Sequence, residues 1–283
     1  PTRNGIVPSK PPLYHWIGAS LAIATGNSDQ PGPFLVRLPS AIFATVVLFL
    51  TLRLCAIFGN GLSKNLKVPI QFLIFLNGAL LISTYGFTSM ATRSMVDMTF
   101  CFFVTLAVFS LLRRVVVNES GLMSVNLAGR DWTWFYLCSG LAVLAKGPIG
   151  IVLPLILTFS GLATTEGFKQ CFQRYARPRI SWVIFLLIAV PWYLLAVKHG
   201  GNAFIERQIF LENIHRFLGQ ETPKPFFYYI PILLGHSAPW VLLPLCFLFP
   251  RIRRAILEDI KTSKLRQIIL FWLIIFTAGF LFF

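Results

Sequence analysis

Long apolar runs separated by short polar segments dominate the chain. Eight such runs predict helices: Leu38–Phe58, Val68–Tyr85, Met95–Leu112, Trp132–Ala145, Gly147–Ala163, Ile180–Val197, Phe227–Phe249 and Ile268–Phe283. None alternates apolar and polar residues as a barrel strand does. Because backbone groups in hydrocarbon must be hydrogen-bonded within their own segment, the runs predict membrane-embedded helices.

The composition favours a membrane protein over the soluble classes. Hydrophobic residues make up 56% of the 283 residues and charged residues only 12%, against about 25% charged in soluble domains. The 28 Phe and 7 Trp argue against a disordered chain, and 5 Cys are too few for a disulfide scaffold of this length. The expected fold class is an all-α polytopic membrane protein.

The distribution of positive charge predicts how the bundle lies in the membrane. Lys and Arg outnumber Asp and Glu by 25 to 10. With the N-terminal segment outside, fifteen cations fall on the inner side and nine on the outer side, which favours this orientation. Anionic headgroups explain the inner cations, so no nucleic-acid partner is expected. The nine outer cations need another explanation.

Among the outer cations, Lys146 has the sharpest signal. It ends one apolar run, and Gly147 and Pro148 break the helix directly after it. Its ammonium group is therefore expected at an exposed helix end. Two interpretations remain open: a boundary lysine that snorkels to the interface, or a cation that faces an anionic group approaching from the membrane.

Four other polar residues stand in the outer segments. Asp97 lies where an apolar helix begins, and the helix dipole favours a carboxylate there as an N-cap or in the first turn. Lys10 precedes two prolines and could be a simple loop cation. Glu212 and Arg216 are four residues apart, so on a helix they could pair on one face.

Together, the outer segments carry a family pattern. In chain order they read K-P-P-L-x-x-W from Lys10, R-L-P-S, R-S-x-x-D ending at Asp97, A-K-G-P around Lys146, E-N-I-x-R-F-x-G from Glu212, P-F-x-Y-Y-x-P and P-W. This order resembles the bacterial relatives of 4-amino-4-deoxy-L-arabinose lipid A transferase and of protein O-mannosyltransferases. The resemblance covers nearly the whole chain. It implies a type-C glycosyltransferase helix bundle whose active face is on the periplasmic side of the bacterial inner membrane.

The resemblance also implies roles for particular residues. Substrate-binding positions of the family match Lys10, Asp97, Lys146, Glu212 and Arg216. The cations would hold the phosphate of a polyprenyl-phosphate sugar, and the carboxylates would orient them or contact sugar hydroxyls. The family's catalytic Asp is expected upstream of Pro1, so the catalytic residue is unknown here. Ser9 and Asn213 replace a Glu and a His of many members, so neither a metal nor another cofactor is expected.

Residues 1–283 are expected to be part of one multi-span domain of about eight helices, with the first span and the C-terminal part missing. Such a piece is expected to be inactive alone. The expected function is transfer of a sugar from a polyprenyl-phosphate donor to a lipid (lipid A-like) or protein acceptor, with membrane lipids as further partners. A non-enzymatic transporter of lipid-linked sugars would need the same cations and stays an alternative. An ion channel or permease is a weaker one, because no inverted repeat is visible.

Overall fold

The computed structural model describes residues 10–27, 30–66, 68–117, 123–215, 225–251, 253–254 and 263–282. The helices are α1 (Leu13–Ala24), α2 (Pro33–Leu66), α3 (Ile70–Ser83), α4 (Tyr85–Thr92), α5 (Val96–Leu112), α6 (Gly129–Lys146), α7 (Ile149–Glu166), α8 (Phe168–Ala176), α9 (Arg179–Phe204), α10 (Tyr229–His236) and α11 (Ser263–Phe282). An antiparallel hairpin, β1 (Val115–Val117) and β2 (Met123–Val125), connects α5 to α6. A π-helical segment, Ile205–His215, continues α9.

Several helices are long and apolar enough to cross a membrane. Among the described residues these are α2 up to Gly59, α7, and α9 extended to Gln208, and a fourth span results if α3 and α4, bent by 66°, count as one. The apolar helix α5 has 17 residues, slightly fewer than the roughly 20 that cross a bilayer without help from flanking turns. The predicted all-α membrane bundle is confirmed.

The centre of the bundle is the pair α5 and α6. Helix α5 packs on α2, α6 and α7, while α6 also packs on α9. Phe135 and Tyr136 of α6 and Leu111 of α5 are completely buried. Gly140 of α6 lies against Ile188 of α9. Small residues at such contacts let helix backbones approach closely, which matters in lipid because apolar surface alone does not drive helices together.

One predicted helix is wrong. The run Phe227–Phe249 is divided into a 3-10 turn (Phe226–Tyr228), the short helix α10, a cis peptide bond between Ala238 and Pro239, and a 3-10 helix (Trp240–Leu248). Proline lacks a backbone N–H and clashes with the preceding turn, so Pro239 stops an α-helix that its apolar neighbours would otherwise continue. The run Val68–Tyr85 is likewise interrupted, at Thr84 between α3 and α4.

The bundle has two chemically different ends. We call the "Asp97 end" the one where α5 begins and α6 ends, and the "Arg113 end" the opposite one, where α5 ends and α6 begins. At the Arg113 end the amphipathic helix α8 buries Cys171 and Tyr175 and leaves Phe168 and Phe172 exposed. This arrangement is typical of a helix that lies along a membrane interface.

A buried carboxylate organises the Arg113 end. Asp131 is completely buried in the first turn of α6, ahead of the apolar run. It accepts hydrogen bonds from Nη2 of Arg113 at 2.8 Å and from the backbone N–H of Ala128 at 2.9 Å, and Nε of Arg114 donates to it at 3.0 Å. Burial alone would raise the pKa of Asp131, but these hydrogen bonds and the charge of Arg114 lower it below its ordinary value.

Candidate functional site

The break between α6 and α7 has the form that its sequence predicts. Helix α6 ends at Lys146, and Gly147 has a φ of 96°, in the left-handed region that favours glycine. Pro148 follows with a φ of −54°, which suits the start of a helix. Helix α7 then folds back along α6 so closely that a Cβ on Gly150 would lie 2.7 Å from the carbonyl oxygen of Ala142. The local sequence therefore fixes Lys146 at the tip of a tight helical turn.

At this tip, the ammonium group of Lys146 donates a hydrogen bond to Oδ1 of Asp97. Asp97 lies in the first turn of α5, where the helix dipole favours a negative charge. Nζ of Lys146 also lies 5.4 Å from the ring centroid of Phe100, within the range of a cation–π interaction. Two residues that are 49 positions apart in sequence thus form one charged pair at the Asp97 end.

Exposure decides what this pair can do. The Lys146 side chain is 37% exposed and that of Asp97 is 28% exposed. An ion pair with that much access to solvent contributes about 0–1 kcal/mol to stability. The bundle therefore does not depend on the contact, and the ammonium group can exchange its carboxylate partner for another anion.

Lys10 lies at the same end of the bundle. It precedes α1, which packs against α2 and α6. Leu13, in the first turn of α1, packs against the small cluster that includes Phe100 and Ala145. The hydroxyl of Tyr14 is hydrogen-bonded to Oγ of Ser94, in the segment that leads to Asp97. The structure thus brings the Lys10, Asp97 and Lys146 segments to one end of the bundle, and it joins the last two residues directly.

The other two predicted site residues are not placed. Glu212 falls within the π-helical segment Ile205–His215, but its side chain lies outside the described part of the structure, and so does Arg216. Their pairing and their role stay predictions. Residues 204–211, which lie between the predicted runs Ile180–Val197 and Phe227–Phe249, are helical.

A second helix break contains polar groups that the sequence did not single out. The backbone N–H of Tyr85 donates to the carbonyl of Ala238 at 3.1 Å, and Nε1 of Trp240 donates to Oγ of Ser83 at 2.8 Å. The rings of Tyr85 and His236 lie edge to face, with their centroids 6.1 Å apart. The interruption of both apolar runs by polar residues, S-T-Y and G-H-S-A-P-W, is the signal that could have revealed this cluster.

The described residues contain no group of three or more His, Cys, Asp or Glu side chains that could hold a metal ion. Ser9 and the side chain of Asn213 lie outside those residues, so the expectation about a metal at their positions stays a prediction. The chemistry that the described site offers is the capture of an anion by an accessible ammonium group at the end of a membrane helix.

Comparisons with known proteins find similar sequences and a similar fold. No protein-family model matches the sequence. The chain is 27% identical over 235 residues to an undecaprenyl phosphate-alpha-4-amino-4-deoxy-L-arabinose arabinosyl transferase of Pectobacterium carotovorum, covering 79% of this chain and 39% of that protein. It is 25% identical to the corresponding transferase 2 of Proteus mirabilis, covering 97% of this chain and 44% of the relative. An uncharacterized protein of Aquifex aeolicus is 29% identical, over 81% of this chain and 46% of its own length.

A solved structure has the same fold. The crystal structure of ArnT from Cupriavidus metallidurans bound to undecaprenyl phosphate superposes with a TM-score of 0.62 at 18% identity, over 96% of this chain and 49% of that chain. The apo structure of the same protein gives a TM-score of 0.55. This chain therefore spans less than half the length of the relatives it matches. The predicted resemblance is confirmed: the chain is similar in sequence to the arabinosyl transferases, and its fold is that of the ArnT crystal structure.

Proposed function

We propose that the chain is part of a glycosyltransferase that moves a sugar from a polyprenyl-phosphate carrier to a lipid A-like or protein acceptor. The reaction would occur at the periplasmic face of the bacterial inner membrane, and the excess of inner cations supports an orientation with the Asp97 end on that face. The observation that carries the proposal is the accessible ammonium group of Lys146 at a helix break. The names of the relatives and the undecaprenyl phosphate in the ArnT structure support a lipid-linked donor.

The chemistry of such a donor suits this site. A hydroxyl oxygen of the acceptor bonds to the anomeric carbon, the bond from that carbon to the phosphate oxygen breaks, and its electron pair stays on the phosphate. Negative charge on the departing oxygens grows as the transition state forms. A cation fixed beside those oxygens lowers the energy of the transition state more than that of the bound donor. We assign this role to Lys146.

Asp97 and Lys10 complete the proposed donor site. Asp97 holds the ammonium group of Lys146 until the phosphate arrives, and it then orients the lysine or contacts a sugar hydroxyl. Lys10, from the neighbouring segment ahead of α1, adds positive charge at the same end. Glu212 and Arg216 are proposed to close the site from the segment that follows α9. The acceptor hydroxyl gives its proton to a base that we leave unassigned.

The test is to replace Lys146 with Ala in the gene product that contains this chain. Transfer from a purified undecaprenyl-phosphate sugar, followed by mass spectrometry of the product, should fall by about 10²–10³, the usual cost of one preset charge-stabilising donor. The matched control is Lys198→Ala, which removes an exposed lysine of α9 and should leave transfer unchanged. Lys146→Arg should retain part of the activity.

Two outcomes would count against the proposal. Transfer by Lys146→Ala at the rate of the unmodified protein would remove the phosphate role from this lysine. The second outcome is that the unmodified protein moves the lipid-linked sugar across the membrane but transfers none of it to an acceptor. That result would favour the transporter.

A further inference from the structure

A groove with two arginines opens at the Arg113 end, far from the proposed donor site. It has a volume of about 360 Å³ and lies between α2 and α5. Arg53 and Arg113 supply its charged groups, and Ala56, Ile57 and Phe109 supply its apolar wall. Neither arginine takes part in the proposed transfer, so the groove needs an explanation of its own.

Arg53 is the unusual member of this pair. It is the only charged residue in the apolar run Leu38–Phe58, and it lies six residues before Gly59, where the candidate span ends. At 1.5 Å per residue this is roughly 9 Å inside the end of the candidate span. Arg53 is exposed, and within the described part of the chain it has no ion-pair partner. A charge at such a depth indicates a functional group or a bound counter-ion.

Arg113 differs because it is held in place. Its Nη2 donates to Asp131 at 2.8 Å, its Nε donates to the carbonyl of Ser110 at 3.3 Å, and its guanidinium carbon lies 6.0 Å from the centroid of the Phe109 ring. Asp131 also pairs with Arg114. Two guanidinium groups thus share one carboxylate, which leaves one positive charge uncompensated beside the groove.

We infer that this groove binds one anionic phospholipid of the inner leaflet. Its phosphate contacts Arg53 and Arg113, and an acyl chain lies along Ala56, Ile57 and Phe109. The charge of the two arginines selects a net negative headgroup, since a zwitterionic lipid carries a compensating ammonium group beside its phosphate. The apolar wall favours a lipid over free phosphate, which has nothing to place against it. The site does not depend on the proposed transfer reaction.

Native mass spectrometry of the purified gene product that contains this chain tests the inference. The protein is titrated with phosphatidylglycerol and, separately, with phosphatidylcholine of identical acyl chains. We expect phosphatidylglycerol to remain bound at lower lipid concentration than phosphatidylcholine. Arg53→Gln should weaken the binding of phosphatidylglycerol about tenfold, as expected for the loss of one charged hydrogen-bonding partner. It should leave the binding of phosphatidylcholine unchanged.

Control variants make the result specific. Arg130→Gln removes an exposed arginine at the same end that does not line the groove, and its binding of phosphatidylglycerol should match that of the unmodified chain. Arg53→Lys keeps the charge and should recover most of the binding. Equal binding of phosphatidylglycerol by Arg53→Gln and the unmodified chain would overturn the inference. So would equal retention of the two lipids, or complete displacement of phosphatidylglycerol by millimolar inorganic phosphate.

Discussion

The variant Gly150→Ala tests whether sugar transfer depends on the geometry of the Lys146 site and not only on the stability of the bundle. Gly150 lies in the first turn of α7 and faces the backbone of α6. A Cβ at this position would lie 2.7 Å from the carbonyl oxygen of Ala142 and closer still to the backbone nitrogen of Val143. Backbone atoms within a helix cannot turn aside as the end of a side chain can. The added methyl group must therefore push α6 and α7 apart by about 1 Å.

The magnitude follows from what this displacement moves. Overpacking of this kind typically costs about 1–3 kcal/mol of unfolding free energy. Lys146 ends α6, whereas Asp97 belongs to α5, so a shift of α6 against its neighbours changes the position of the ammonium group relative to the carboxylate. A misplacement of about 1 Å in a reacting site can cost 10²-fold in rate. We expect sugar transfer to fall about 100-fold in a variant that still folds.

Two glycine variants supply the controls. Gly18→Ala adds the same methyl group to α1 where nothing lies within 4 Å, so transfer and thermal unfolding in detergent should stay unchanged. A Cβ on Gly161 of α7 would meet Ile275 of α11 at 2.7 Å, a side chain at some distance from the Lys146 turn. Gly161→Ala should lower the unfolding temperature without a 100-fold loss of transfer. The reasoning fails if Gly150→Ala keeps the unmodified protein's transfer rate, or if Gly161→Ala loses transfer equally.

Three further predictions concern the two ion-pair sites. Asp131→Asn leaves two arginines without their counter-charge and should lower the unfolding free energy by about 1.5–3 kcal/mol, measured by thermal unfolding in detergent. Because the pKa of Asp131 is lowered in the fold, its contribution should be complete above about pH 5 and be lost as the pH falls below about 4. Unfolding temperatures from pH 6 to pH 3 should therefore fall less steeply for Asp131→Asn than for the unmodified chain. Asp97→Asn should change the unfolding free energy by less than about 1 kcal/mol, yet it should reduce sugar transfer about tenfold because Lys146 loses the group that orients it.

The accuracy of the helix predictions follows from the physics of the membrane. The run Met95–Leu112 became α5 (Val96–Leu112), and Trp132–Ala145 became most of α6, because a long apolar run in lipid has few alternatives to a helix. The elements that the sequence missed, α1, α8 and the hairpin β1–β2, are short: α1 is an apolar helix of only 12 residues, α8 is amphipathic, and each strand has three residues. They produce no long apolar run, so hydropathy alone does not reveal them. Pro239 indicated a break in the run Phe227–Phe249, but the apolar residues around it gave the stronger signal for one continuous helix.

The sequence indicated where Lys146 and Asp97 lie on their helices but not that they are in contact. Helix signals placed Lys146 at a helix end and Asp97 at a helix start, and the family pattern put both in one site. Their pairing depends on how α5 and α6 pack, which no local pattern records. Asp131 was missed because Arg113 and Arg114 were explained sufficiently by membrane topology. An acidic residue immediately before an apolar run, close in sequence to two arginines, was the available signal.

The two ends of the bundle use the same kind of ion pair for different purposes, and burial makes the difference. Asp131 is fully buried and binds two arginines and a backbone amide, so an exchange of its partners would break hydrogen bonds to a carboxylate that solvent does not reach. Asp97 and Lys146 remain partly exposed, so water or another anion can replace either partner at little cost. The proposed passage of Lys146 from a carboxylate to a phosphate needs the second arrangement. The proposed contact of Arg113 with a lipid phosphate needs the first.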